Sequence, residues 1–373
     1  MTVETVRKLV NELDGRLEER NIGKPFFSDP RYTSFPLSKE NFKSIHKMES
    51  DRALVFVDGG NQEVLGAPNF SIQINRVYFN VFKGSKRVFK KSNSIPNRVE
   101  FFSATHSRFR DSEIYYDTII FPLREEFREL LPEEADLSFN SFDRTVTFGT
   151  QRADISRVAS IARKFAEWEY AFHLIQRVMK AGDVLVLDGT LQTGFTNEAK
   201  YARKVYDVGM SKGVIVTGLS KTSRLFTTTG LSLLGAVRKL ADESNLPFSS
   251  WYIPVAETTS TDHNAVILVI KLNSSGDHVF RYEIYRDQYK ELGKSELAEI
   301  LSQLAENSRD MSFPGYPYGL IDADRFARVT HSEVESYRMI FLSEIAKGGR
   351  WSKFARYIHA IDAHDVLNKL IGR

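Results

Sequence analysis

Two short apolar runs each end in an acid followed by glycine. Ala53-Leu-Val-Phe-Val57 leads into Asp58-Gly59-Gly60, and Asp183-Val-Leu-Val-Leu187 leads into Asp188-Gly189-Thr190. A run of four or five apolar, partly β-branched residues that stops at Asp-Gly reads as a buried strand opening into a turn, which puts each carboxylate at a strand's carboxyl end. Open α/β sheets place their sites there. Two like charges at neighbouring strand ends repel unless a cation lies between them, and hard oxygen ligands suit Mg²⁺ or Mn²⁺. Asp58 and Asp188 are therefore expected to form a divalent-metal site.

A third acid is expected on a helix. The pattern from Arg152 to about Lys180 is helical and stops at Gly182, a plausible C-cap just before the second Asp-Gly strand. At 100° per residue, Ile155, Val158, Ala162, Phe165 and Phe172 fall within about 60° of Glu169, whereas Glu167 lies roughly opposite, among Arg163, Lys164 and Tyr170. Glu169 thus interrupts the buried stripe. A carboxylate on an apolar face needs a cation, a hydrogen-bond donor or a proton. A metal shared with Asp58 and Asp188 would serve, and so would a salt bridge to a buried arginine or lysine.

The elements that must carry these acids are those of an α/β chain. With 373 residues, 42% of them hydrophobic, the chain can bury a full core. No apolar stretch approaches the roughly 18 residues of a membrane span. Met1 to Arg20 is charged throughout without an apolar core, so no secretory signal is expected and a cytoplasmic location follows by default. The absence of cysteine rules out disulfides, thiolate-held zinc and a cysteine nucleophile. A net charge of +3 permits nucleic acid as a partner without demanding it. Val6, Leu9, Val10, Leu13 and Leu17 recur at helical spacing, predicting an amphipathic helix over Val3 to Glu19 that packs on the core or on a partner. Ile22 to Met48 reads as an irregular connection.

Further strands are expected over Phe70 to Phe82, Val99 to Ala104, Ile114 to Pro122, Gly213 to Thr217, Trp251 to Val255, Val266 to Leu272 and Val279 to Tyr285. Arg124 to Gly149 reads as an insertion. Helices are expected over Asn197 to Met210, Leu231 to Ser244, Ser295 to Asn307, Leu320 to Thr330, Ser332 to Lys347 and Phe354 to Leu370. No repeat or clean linker divides the chain. One elaborated domain is expected over residues 49–330, preceded by a helix and connection over 1–48 and followed by helices over 331–373 packed on the same domain.

An acid on a first strand, a glutamate on a helix and an acid on a later strand is the arrangement of RNase H-like nucleases, whose two-metal chemistry needs carboxylates that leave open positions. The segments Val57-Asp-Gly-Gly60, Val184-Leu-Val-Leu-Asp-Gly-Thr-Leu191, Gly218-Leu-Ser-Lys-Thr-Ser223 and Gly315-Tyr-Pro-Tyr-Gly-Leu-Ile-Asp-Ala-Asp324, in this order, resemble the NurA family of nucleases. The resemblance covers roughly Asp51 to Thr330. It implies a mixed α/β sheet with an RNase H-like core and N- and C-terminal helical additions. It further implies a Mn²⁺- or Mg²⁺-dependent DNase, an exonuclease with or without endonuclease activity. Such an enzyme would act as a homodimer in DNA-end resection and repair with a HerA-like hexameric translocase. The family's metal acids carry over to Asp58, Glu169 and Asp188, and its tyrosine to Tyr316. A family histidine eight positions later falls on Asp324, which could bind metal or orient a water but cannot donate a proton as imidazolium does. Asp322 and Asp324 adjoin the first turn of the expected helix and point about 160° apart. Only one can face the metals, and the match selects Asp324.

Basic residues offer contacts to DNA. Lys221 and Arg224 follow an expected strand and could reach a phosphate or simply face solvent. Arg350, Lys353 and Arg356, interleaved with Trp351, Phe354 and Tyr357, could grip nucleic acid by charge and stacking, or the aromatics could pack on the core. His331, His359 and His364 have no metal-ligand spacing. Two other functions compete. An actin-like or sugar-kinase-type ATPase would use Asp58-Gly59-Gly60 as a phosphate loop, and a non-catalytic DNA-binding subunit would serve a translocase.

Overall fold

The computed structural model describes residues 2–17, 21–88 and 95–358. The helix α1 (Thr2–Leu17) precedes a meander of four long strands, β1 (Leu54–Ala67), β2 (Phe70–Lys83), β3 (Arg98–Arg110) and β4 (Glu113–Pro122). Then come α2 (Ile161–Arg177), β5 (Val184–Asp188), α3 (Glu198–Lys212), β6 (Ile215–Ser220) and α4 (Leu233–Glu243). The strands β7 (Trp251–Ser260), β8 (His263–Lys271) and β9 (Phe280–Tyr285) follow, and α5 (Lys294–Asn307), α6 (Tyr318–Ala327) and α7 (His331–Lys347) close the order.

All nine strands lie in one sheet, in the order β7-β8-β9-β6-β5-β1-β2-β3-β4. The neighbours β1, β5 and β6 run parallel and the other pairs are antiparallel. The segment β3-β2-β1-β5-β6, a three-strand meander continued by two parallel strands, is an RNase H-like core, which β9, β8 and β7 widen. The parallel strands are buried on both faces, so their apolar runs are continuous instead of alternating. Val55, Val57, Leu185 and Leu187 enter the core under α2 and α3, whereas Leu54, Phe56, Val184 and Val186 enter the one under α5 and α6. A third core lies between α4 and the β7–β8 strands. Burial of side chains such as Phe56, Phe79 and Phe165 stabilises the sandwich by about 1.5–3 kcal/mol each. No helix among the described residues is long and apolar enough to cross a membrane.

Several elements depart from expectation. The first strand does not open into a turn at Asp58-Gly59-Gly60: β1 continues to Ala67, with Asp58 opposite Tyr78, Gly59 opposite Val77 and Gly60 opposite Arg76. The glycines serve close approach, since a Cβ on Gly60 would stand 2.4 Å from the Ala327 carbonyl oxygen. The expected long helix is broken at Ser160 into a short turn, Ile155–Ala159, and α2. Residues 22–48 supply Tyr32–Ser34 and Lys43–Ser44, which pair with β7, and Pro25–Phe26, which pairs with Phe226–Thr227. Strands of two or three residues leave no periodicity to read. The stretch from 124 to 149 packs back on the sheet, with Ser138–Asn140 added at β4. The last expected helix is described only to Ile358. The apolar face of α1 is not buried: Val3, Val6, Leu9, Val10 and Leu13 are all exposed.

Candidate active site

The parallel register places the first two acids side by side. The ladder between β1 and β5 ends at the pair Val57 and Leu187, so Asp58 and Asp188 are the next residue on each strand. Gly189 leaves the sheet at φ 116°, a conformation open to glycine, and its N–H donates to the Leu219 carbonyl at 2.9 Å. Two residues further on, the Leu191 N–H donates to Glu283 Oε2 on β9 at 2.7 Å. Glu283 is fully buried and is itself held by Arg281 and His263, which keep its carboxyl depressed to about 2 against the opposing effect of burial. The turn carrying Asp188 is thereby fastened to the sheet.

The third acid arrives from α6. Ligand atoms of Asp58, Asp188 and Asp324 all lie within 4.8 Å of one another. Asp324 is the seventh residue of α6, two residues deeper than expected, because the helix starts at Tyr318 instead of Leu320. Asp322 points away, accepting from Asn80 Nδ2 at 2.8 Å and pairing with Arg87 at 3.2 Å. Lys221, just past β6, turns inward: its Nζ is 2.7 Å from Asp188 Oδ2 and 3.1 Å from Asp324 Oδ1. The Tyr316 ring packs on Phe280 and Phe313, with Lys221 Nζ 5.8 Å from its centre. Its hydroxyl is buried and has no hydrogen bond of normal geometry. Burial raises the phenol well above its ordinary value, and the nearby charges of Asp188 and Asp58 raise it further.

The electrostatics differ between the acids. Burial pushes the Asp58 carboxyl up to about 8, and the charges of Asp188 and Glu167 add to it against the pull of Lys221 and the Gly59 N–H. Asp324 is partly buried, but Lys221 and Arg328 outweigh that and hold it below the usual carboxylate range.

The helix α2 brings a different glutamate toward this site from the one its wheel selects. Glu169 faces α3, 3.0 Å from Lys204 Nζ and 3.6 Å from His173, and these partners lower its pKa despite burial. It makes the alternative salt bridge and is not brought to Asp58 and Asp188. Glu167 presses on β1 instead: a Cβ on Gly59 would stand 2.5 Å from its Oε1. Lys164 lies 3.1 Å from Glu167, and Arg163 contacts both Glu167 and the Gly59 carbonyl. The contrast on which the wheel depends is missing, since Ala166, Glu167, Trp168, Glu169, Tyr170 and Ala171 are all buried. The one signal in the sequence was Gly59, because a glycine inside a strand marks close approach.

Of the basic candidates, Arg224, Arg350 and Lys353 are exposed. His331 opens α7 behind the Thr330 cap, while His359 and His364 lie outside the described residues.

The profile of the NurA domain matches residues 52–329, well over half of the chain. The chain belongs to the NurA family. Its fold is similar to that of the solved NurA nuclease from Sulfolobus solfataricus, with a TM-score of 0.52 at 12% identity over 93% of this chain and 96% of that one. Argonaute from A. aeolicus matches at a TM-score of only 0.28 and 11% identity, over 75% of this chain and 28% of that one. No curated protein sequence matches the chain.

Proposed function

We propose that this NurA-family chain is a divalent-metal-dependent DNA nuclease. The observation that carries the reading is the convergence of Asp58, Asp188 and Asp324 where the parallel β1–β5 ladder of an RNase H-like core ends. The donor set fits a hard cation. All three acids of the cluster are carboxylates, one of them pushed up to about 8 by burial and by its acidic neighbours, and the Tyr316 hydroxyl is buried beside them. A bound Mg²⁺ or Mn²⁺ supplies Lewis acidity, which lowers the pKa of an attacking water and offsets phosphate charge. Asp58 and Asp188 would hold it, with Asp324 closing the cluster beside Lys221 and the charge of Glu167 felt at Asp58.

The chain's other residues have separable roles. Tyr316, a neutral donor at physiological pH, positions a phosphate oxygen or a water by hydrogen bonding. Glu283 fixes the Asp188 turn through Leu191. Arg224, Arg350 and Lys353 offer exposed positive charge to the DNA backbone. Family resemblance extends the reading to a homodimer working in DNA-end resection with a HerA-like translocase, and the exposed apolar stripe of α1 is the kind of face a protein partner covers. The ATPase reading loses its basis, because Asp58, Gly59 and Gly60 run on as paired strand and form no phosphate loop.

The test is degradation of linear DNA by the purified chain with Mn²⁺, Mg²⁺ or chelator, beside ATP hydrolysis. Metal-dependent cleavage without ATP turnover is expected. ATP hydrolysis without DNA cleavage would overturn the assignment. Light scattering with the cognate translocase tests the partnership, against which a persistent monomer and no complex would count.

A further inference from the structure

Lys221 reaches into the acid cluster from its solvent side. Its ammonium spans Asp188 Oδ2 and Asp324 Oδ1, at 2.7 and 3.1 Å, and Arg328 takes the other oxygen of Asp324 at 3.0 Å. Both oxygens of Asp324 are thus engaged by cations of the chain itself. Asp58 differs: among the described residues its carboxylate accepts only from its own Gly59 N–H, at 2.7 Å. The side of the cluster that Asp58 shares with Asp188 therefore has no cation in contact with Asp58, while the side between Asp188 and Asp324 has one. A second observation marks the same place, since the Tyr316 hydroxyl is buried close to Asp188 and Asp58 without a hydrogen bond of normal geometry.

Charge counting leads to one ion. Three carboxylates against the Lys221 ammonium and the Arg328 guanidinium leave one negative charge, which a single divalent cation already more than balances. A second divalent ion between Asp188 and Asp324 would have to displace Lys221 and stand beside its charge.

We propose that Lys221 is the resident second cation of this site: the cluster takes one divalent ion on the Asp58–Asp188 side, and the lysine ammonium fills the Asp188–Asp324 side. The inference rests on the nuclease reading and deepens it. Lys221 then acts on the phosphate as a fixed point charge, and metal stoichiometry is set by a side chain. Its side chain is 39% exposed, so replacement leaves the core intact.

The experiment is a Mn²⁺ titration of the full chain, with free Mn²⁺ followed by electron paramagnetic resonance. It compares wild type, Lys221→Gln, Lys221→Arg and Asp58→Asn. Wild type is expected to bind one ion that Asp58→Asn abolishes. Lys221→Gln should gain a second ion or bind the first at least about tenfold more tightly, because a full positive charge next to Asp188 has gone. Lys221→Arg should keep one ion, within about threefold of the wild-type affinity. Two ions in wild type, or one ion of unchanged affinity in Lys221→Gln, would overturn the lysine assignment and leave the nuclease reading standing. A wild-type chain that neither binds Mn²⁺ nor cleaves DNA would overturn both.

Discussion

Replacing Glu167 and Glu169 separately by glutamine distinguishes the geometry of α2 from its helical wheel. The two residues are two apart on one helix, and both are buried. Glu169 has its negative charge committed to Lys204 and His173. In a partly screened site an ion pair at such a distance is worth a few kcal/mol at most before desolvation is subtracted, so Glu169→Gln should cost about 1–3 kcal/mol of stability. That corresponds to a fall in Tm of a few degrees for a chain of this size, on the order of 2–4 °C per kcal/mol or less. The sign with pH follows from the lowered carboxyl. Its stabilisation is complete above the unfolded carboxylate pKa and is lost as pH falls through the lower folded value, so the Tm gap should be full at pH 7 and close at strongly acidic pH. Cleavage at 25 °C should change by less than about threefold. Glu167→Gln removes a charge felt by Asp58. If that charge contributes about 2.7 kcal/mol to holding cations at the reacting phosphate, cleavage falls about 100-fold. The assays are initial rates of DNA degradation at saturating Mn²⁺ and thermal melts of the same preparations. Loss of cleavage in Glu169→Gln with near-normal rates in Glu167→Gln would refute the placement of α2.

Other substitutions probe separate parts of the structure. Tyr316→Phe should slow cleavage while Mn²⁺ affinity stays nearly unchanged, measured by kinetics beside titration. Asp324→Ala should lower activity far more than Asp322→Ala, whereas Asp322→Ala should show the larger loss in thermal melts because it strips Arg87 and Asn80 of a buried partner. Gly319→Ala would put a Cβ 2.1 Å from the buried Phe56 ring and Gly60→Ala one 2.4 Å from a backbone oxygen, so each should destabilise by about 1–3 kcal/mol or more, read from denaturant midpoints. Glu283→Gln should cost about 3 kcal/mol near neutral pH. Because the carboxyl is depressed to about 2, that stabilisation is lost only as pH falls from the unfolded value of 4.5 toward 2, so mutant and wild type should converge in acid melts.

Much of the fold was legible because the parallel strands are buried on both faces. Their unbroken apolar runs end at Asp58 and Asp188, and the ladder between them ends one residue earlier. The long meander strands and most helices were legible from period. What failed had physical causes. Asp58-Gly59-Gly60 read as a turn because glycine pairs usually are turns, whereas these two admit Glu167 from one face and the Ala327 carbonyl from the other. Glu169 was chosen over Glu167 because a wheel needs one dry and one wet face, and α2 has neither in its middle turns. The inward position of Lys221 could not be read locally, since its partners lie 33 and 103 positions away in sequence.

The most direct measurement is anomalous diffraction at the manganese edge from crystals of the chain grown with Mn²⁺. The expected result is a peak at direct-ligand distance from carboxylate oxygens of both Asp58 and Asp188, absent in Asp58→Asn crystals. A wild-type peak bound elsewhere, with Asp58 and Asp188 left without an ion under saturating Mn²⁺, would contradict the account.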